Sequence, residues 1–182
     1  ATAMPLDTDL LPPEGLGDRE RATTTTETTR TKVSTSMTFD ATPTQAWRAL
    51  MFYEEVDTRP PFHLRLLLPV PIRTEGDKSQ VGGEALCLYE GGHLVKRATR
   101  IEEPQLYEFE IAEQELAVGG SLRLSGGCYR LREVPGGTEV SIETNYRSSK
   151  WPRWFWRPIE SFVCHMFHRF LLRSMRRRAA SS

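Results

Sequence analysis

Alternation between apolar and polar positions is clearest in the middle of the chain. There EALCLYE, HLVKRATRIEE, LYEFEIAEQELAV, SLRLSGGCYRLREV and TEVSIETNYRSS follow one another with only GG, PQ, GG and PGG between them. Period-two alternation marks a half-buried strand, and paired glycines supply the positive φ that tight hairpin turns need. The five runs are predicted to form an antiparallel meander. In two of them the core face is plain: Tyr107, Phe109 and Ile111 oppose Glu108 and Glu110, and Val140, Ile142 and Tyr146 oppose Glu139, Ser141 and Glu143. In the strand between them Leu122 and Leu124 keep one parity, whereas Tyr129 and Leu131 keep the other. That slip of one residue predicts a β-bulge at Gly126–Gly127, and because a bulge bends its strand, the sheet is expected to curve.

Upstream, Val33, Thr35, Met37 and Phe39 alternate with Ser34, Ser36 and Thr38, predicting a first strand. A helix start follows in ATPTQAWRALMFY: Thr42 is the N-cap, Pro43 suits the first turn, and Gln45 stands where a capping box places its return partner. Between Glu54 and Gln80, Pro60, Pro61, Pro69 and Pro71 rule out long regular elements, and a short helix and a loop are expected. At the other end Ile159, Phe162, Val163, Met166, Phe167, Phe170 and Leu171 recur at three- and four-residue steps. This stripe predicts a long helix from Pro158 to Arg178 lying across the concave side of the meander. His168, Arg169, Arg173, Arg176 and Arg177 are expected away from it, and Pro158 either starts the helix or kinks it away from a turn beginning at Pro152.

Composition adds limits. The 182 residues suit one domain, with 38% hydrophobic and 26% charged residues and no apolar run long enough to span a bilayer. Residues 1–30 hold many threonines and few apolar groups, and are expected to form an extended or disordered arm, followed by a single domain over 31–178 and a tail over 179–182. No secretory pattern is read in the arm, so a cytoplasmic location is expected. Cys87, Cys128 and Cys164 lack CxxC spacing and are expected to be free buried thiols. The net charge is zero, yet residues 1–30 carry −3 and the chain from Lys150 onward carries +7. A basic C-terminal end suits the helix macrodipole, with a phosphate-rich surface as the alternative partner.

Strand, capped helix, irregular segment, meander and terminal helix, in that order, resemble the START-like or SRPBCC superfamily. This is the α+β helix-grip fold of pollen-allergen proteins and polyketide cyclases, a curved antiparallel sheet wrapped around a long C-terminal helix with short helices after the first strand. The resemblance covers roughly residues 31–178 and rests on DATPTQAWRAL, on KRATRIEEPQLYEFEI and on the terminal amphipathic helix. It implies a cavity between sheet and helix that binds a small hydrophobic or amphipathic molecule, lipid-like or aromatic. A cyclase, aromatase or dehydratase using the same cavity is the alternative, and a cavity-filled interaction module is the third.

Candidate cavity residues are Tyr89, Arg97, Tyr107, Phe109, Tyr129, Tyr146, Phe162, Met166 and Phe170. Arg97 shares parity with Val95, Thr99 and Ile101, so its guanidinium is expected to reach inward and anchor an acidic head group, or else to be paired or solvated; Lys96 and Arg100 fall on the opposite, solvated face. His165 and His168 stand one turn apart without the carboxylate of an HExxH site, so no metal is expected; an imidazole facing the cavity edge is one reading, and partly exposed histidines are the simpler one. His93, beside the Gly91–Gly92 turn, is a candidate general base at a cavity mouth or a solvated turn residue. No phosphate loop, zinc pair or nucleophile motif is present, so neither cofactor nor nucleic acid is expected, and catalysis has no sharp signal. Trp151, Trp154, Phe155 and Trp156 lie too close together for all to enter the core. With Arg153 and Arg157 they suit a weak contact with an anionic membrane, or else they plug the cavity end or pack on the proline-rich segment.

Overall fold

Seven strands and two helices account for the residues described by the computed structural model, namely 30–51, 62, 71–116 and 121–181. β1 (Arg30–Phe39) leads into α1 (Pro43–Met51), followed by β2 (Pro71–Gly76), β3 (Glu84–Tyr89), β4 (Gly92–Glu102), β5 (Leu106–Leu116), β6 (Leu122–Val134), β7 (Gly137–Ser148) and α2 (Arg153–Ala180). The strands form one antiparallel sheet in the order β1-β7-β6-β5-β4-β3-β2. The five-stranded meander is therefore present as β3 to β7, and β1 returns to pair with β7 from Arg30↔Arg147 to Phe39↔Thr138. Helix-grip architecture follows: the curved sheet holds α2 on its concave side.

Local chemistry explains the elements. At α1 the Gln45 side chain accepts from Thr42 N–H at 3.0 Å, and Gln45 N–H donates back to Thr42 Oγ1 at 3.3 Å, which closes the capping box. Trp47 and Leu50 enter the core from this helix, with Trp47 edge-on to Tyr107 at 6.4 Å between ring centres. The predicted bulge lies between Leu124 and Gly126. Gly126 has φ +150°, and a Cβ there would lie 2.4 Å from the Phe109 carbonyl oxygen, so the position needs glycine both for its backbone and for the approach of β5. The arm over 1–30 falls almost wholly outside the described residues, as do the Gly119–Gly120 turn and most of the proline-rich segment. Within that segment Pro71–Gly76 forms a strand on β3 where a loop was expected, because its backbone completes the exposed edge of β3.

Helix α2 departs from expectation in three ways. It begins at Arg153 and carries Pro158 inside it, since Pro152 already serves as the N-cap. Its core contacts are also confined to the second half: Phe170, Leu171, Leu172, Met175 and Ala179 are buried, whereas Ile159 and Phe162 face solvent. His168, expected on the polar side, is 1% exposed. The convex face of the sheet is laced with cross-strand ion pairs, among them Lys32–Glu143, Arg97–Glu110 and Arg132–Glu139.

Candidate functional site

Strands β5 and β6 do not pair along their whole length. The ladder runs only from Leu106↔Arg130 to Glu110↔Gly126, after which the bend at Gly126 carries β6 away while β5 continues to Leu116. Gln114 spans the opening: its amide nitrogen donates to Leu122 O at 2.9 Å, and Leu124 N–H donates to its Oε1 at 2.8 Å. A side chain thus satisfies backbone groups that a continuous ladder would have paired.

Behind that opening, between the sheet and the first half of α2, lies a cavity of about 270 Å³. Leu94, Phe109, Ile111, Leu116, Leu122, Leu124 and Ile142 form its sheet wall, and Ile159, Val163, Phe167 and Leu171 form its helix wall. A smaller recess of about 70 Å³ extends toward α1 and β2 and shares Tyr89, Lys96, Phe109, Tyr129, Phe167 and Leu171 with the first. The walls are mostly apolar, with a few polar groups placed among them, as in small-molecule sites. Burial pushes the Tyr89 and Tyr107 hydroxyls up to about 12, with Lys96 opposing the shift in both. These tyrosines are neutral hydrogen-bonding groups at any ordinary pH.

Polar contacts cluster on the α2 side. His168 Nδ1 lies 3.0 Å from Thr35 Oγ1 and its Nε2 lies 2.7 Å from Thr144 Oγ1, so helix, β1 and β7 meet at one imidazole. His165 Nδ1 shares the Thr35 hydroxyl at 2.7 Å. Burial, aided by His165, lowers the His168 pKa to about 4, and the ring is neutral near pH 7. Cys164, 3.5 Å from His168 Nε2, is pushed up to about 11 by burial and remains a thiol. Closer to the rim, buried Glu160 accepts Ser148 Oγ at 2.6 Å and both Arg153 amino groups at 3.2 and 3.0 Å, pinning the start of α2 to the end of β7. Tyr146 Oη is buried without a well-formed hydrogen bond, and burial raises its pKa against the lowering effect of nearby Ser161.

The structure brings Tyr89, Tyr107, Phe109, Tyr129 and Tyr146 of the sequence candidates to the cavity walls. Four candidates lie elsewhere. Arg97 is on the convex face, its side chain 44% exposed, donating through Nε and Nη2 to Glu84 and through Nη1 to Glu110. A bulge at Thr99, between Ala98 and Arg100, causes this, because it breaks the parity of β4 and leaves Leu94, Lys96 and Ala98 on the concave side together with Ile101. Lys96, assigned to the solvated face, therefore points inward, with Nζ 4.9 Å above the Phe109 ring. Phe162 is exposed, Phe170 is packed in the solid core, and Met166 packs against that core. His93 also faces outward, its Nε2 2.9 Å from Glu113 Oε1, rather than toward a cavity mouth. With Glu115 it forms a group, found among the described residues, whose ligand atoms lie within 4.8 Å of one another.

Gln114, Lys96 and Glu160 line the cavity or its rim without having been singled out from sequence. Gln114 alone carried a signal, as an uncharged polar residue between Glu113 and Glu115.

Comparison with known proteins agrees with this geometry. The family model described as polyketide cyclase / dehydrase and lipid transport matches residues 30–180. Among solved structures, TTHA0849 from Thermus thermophilus superposes with a TM-score of 0.59 at 13% identity, covering 83% of this chain and 98% of its own. SA2116 from Staphylococcus aureus, a protein of unknown function, gives 0.58 at 11% identity over 86% and 97% of the two chains. Ara h 8.0201 gives 0.55 at 11% identity over 85% and 100%. No curated protein sequence matched. At these identities the superpositions speak for the fold.

Proposed function

The chain belongs to the polyketide cyclase / dehydrase and lipid transport family, within the START-like superfamily, and from that premise we propose that it binds a small amphipathic molecule between the sheet and α2. The observation that carries this reading is the largely apolar cavity of about 270 Å³, close to the lower end of the roughly 300–1,000 Å³ usual for ligand sites. Lys96 reaches both recesses, so the polar or anionic end of the ligand would lie toward it, with the apolar part against Leu122, Leu124 and Val163. Lys96 thereby takes the role that sequence parity had suggested for Arg97.

Binding is favoured over turnover by the state of the available groups. His168, the imidazole on the wall, has both ring nitrogens engaged by threonines, and Cys164 is held as a thiol far from its reactive form. Native mass spectrometry of gently purified protein tests the reading directly: an adduct mass lost under denaturing conditions is expected. A displacement assay comparing decanoate with decanol tests the polar end. Lys96→Met should weaken the acid about tenfold and leave the alcohol nearly unchanged. Equal losses for both would remove Lys96 from the site, and failure of every apolar probe to bind would overturn the proposal.

A further inference from the structure

The exposed side chains of α2 are far from random in composition. At about 100° per residue, Trp154, Phe155, Ile159, Phe162, Arg169, Arg173, Arg176 and Arg177 fall within an arc of about 140°, a sector that the inward-packing His165, Met166 and Leu172 also enter. All eight are exposed, with Trp154 at 79%, Phe155 at 46% and Phe162 at 62%. Trp151, at 84%, extends the apolar half just ahead of the helix. The face therefore reads aromatic along its first half and arginine along its second. It carries no carboxylate, because the sole acid of the helix, Glu160, is turned inward onto Ser148 and Arg153.

We propose that this face docks the protein on an anionic lipid bilayer, with the helix lying in the membrane plane. An anionic bilayer matches both halves at once: indole and phenyl rings settle at head-group depth, and arginines meet the negative surface. A nucleic acid would satisfy the arginines and leave five large apolar side chains in water. A second copy of the chain meeting it face to face would bring no carboxylate to the arginines, since this face carries none. No helix among the described residues is long and apolar enough to cross a membrane, so the contact is peripheral. The docking face also adjoins the cavity, since Ile159 belongs to both and Trp156 and Lys150 stand at the same rim. A molecule leaving the bilayer would reach the cavity without a long passage through water.

Co-sedimentation with vesicles of phosphatidylcholine alone and of phosphatidylcholine mixed with phosphatidylglycerol tests the proposal. Binding to the mixed vesicles alone is expected, falling as salt rises, with a blue shift of tryptophan emission. Trp154→Ala with Phe162→Ala should lower the partition by about tenfold while thermal unfolding is unchanged, because neither side chain is buried. Arg173→Gln with Arg176→Gln should lower it about fivefold per arginine and flatten the salt dependence. Protein that stays in the supernatant at low salt overturns the inference. So does a homodimer in size-exclusion chromatography that the two aromatic substitutions dissociate, which would make the face a self-association surface. Ligand binding measured in solution is independent of these results, so docking can fail while the cavity reading stands.

Discussion

Single residues here are read best through what surrounds them. His168 has a pKa near 4 when folded against an ordinary value of 6.5, so the folded chain binds fewer protons than the unfolded chain between these values. The resulting stabilisation is complete above pH 6.5 and is lost as pH falls toward 4, by up to about 3 kcal/mol. Urea midpoints across that range should therefore fall, and His168→Gln should be weaker at neutral pH but markedly less sensitive to acid. Arg97→Met should barely move the midpoint and should leave ligand affinity unchanged, because the guanidinium lies in solvent between two surface glutamates. Arg97 also shows where parity reasoning stops. The alternation of HLVKRATRIEE is sound up to Ala98, but a bulge at Thr99 shifts it by one, and no glycine or proline announces that bulge.

At the scale of elements, the bulge that was legible had such a marker. The glycine pair in β6 broke the alternation visibly, and Gly126→Ala is expected to cost roughly 1–3 kcal/mol by forcing both a disfavoured φ and a clash with the Phe109 carbonyl. The capping box of α1 was equally readable because its partners lie three residues apart. Helix α2 was read as one apolar stripe, yet that stripe is divided: Phe170, Leu171, Leu172 and Met175 pack in the core, Ile159, Val163 and Phe167 border the cavity, and Phe162 faces solvent. Hydrophobicity alone does not distinguish an aromatic that packs from one that is displayed. Alanine substitution does, and chemical denaturation should show a cost of about 2–5 kcal/mol for Leu172→Ala and close to none for Phe162→Ala.

For the whole molecule, element order was enough to give the helix-grip architecture, because a one-sided meander and an amphipathic helix have few ways to cover each other. The cavity was not legible in the same way, since its volume depends on where β5 and β6 part and on which residues leave space unfilled. Filling it is an informative experiment. Val163→Phe should abolish the adduct seen by native mass spectrometry while holding or raising the thermal midpoint, by about 1–2 kcal/mol of added burial. A lowered midpoint would mean that the space is already occupied by the protein itself.

The short ladder between β5 and β6 divides the sheet into two leaves, β1-β7-β6 and β5-β4-β3-β2, joined by five residue pairs and the Gln114 bridge. Such a seam should be visible to deuterium. Alternate amides of Ile111–Leu116 point toward β4 and are protected by it, whereas those between them look across the seam and should exchange much sooner. Motion of the two leaves about the intact end of the ladder, like covers about a spine, would change the girth of the cavity with little disturbance to the packed end of the molecule. Gln114→Ala would loosen the clasp, and the exchange it releases should spread along the seam while the β1–β7 ladder keeps its slow rates.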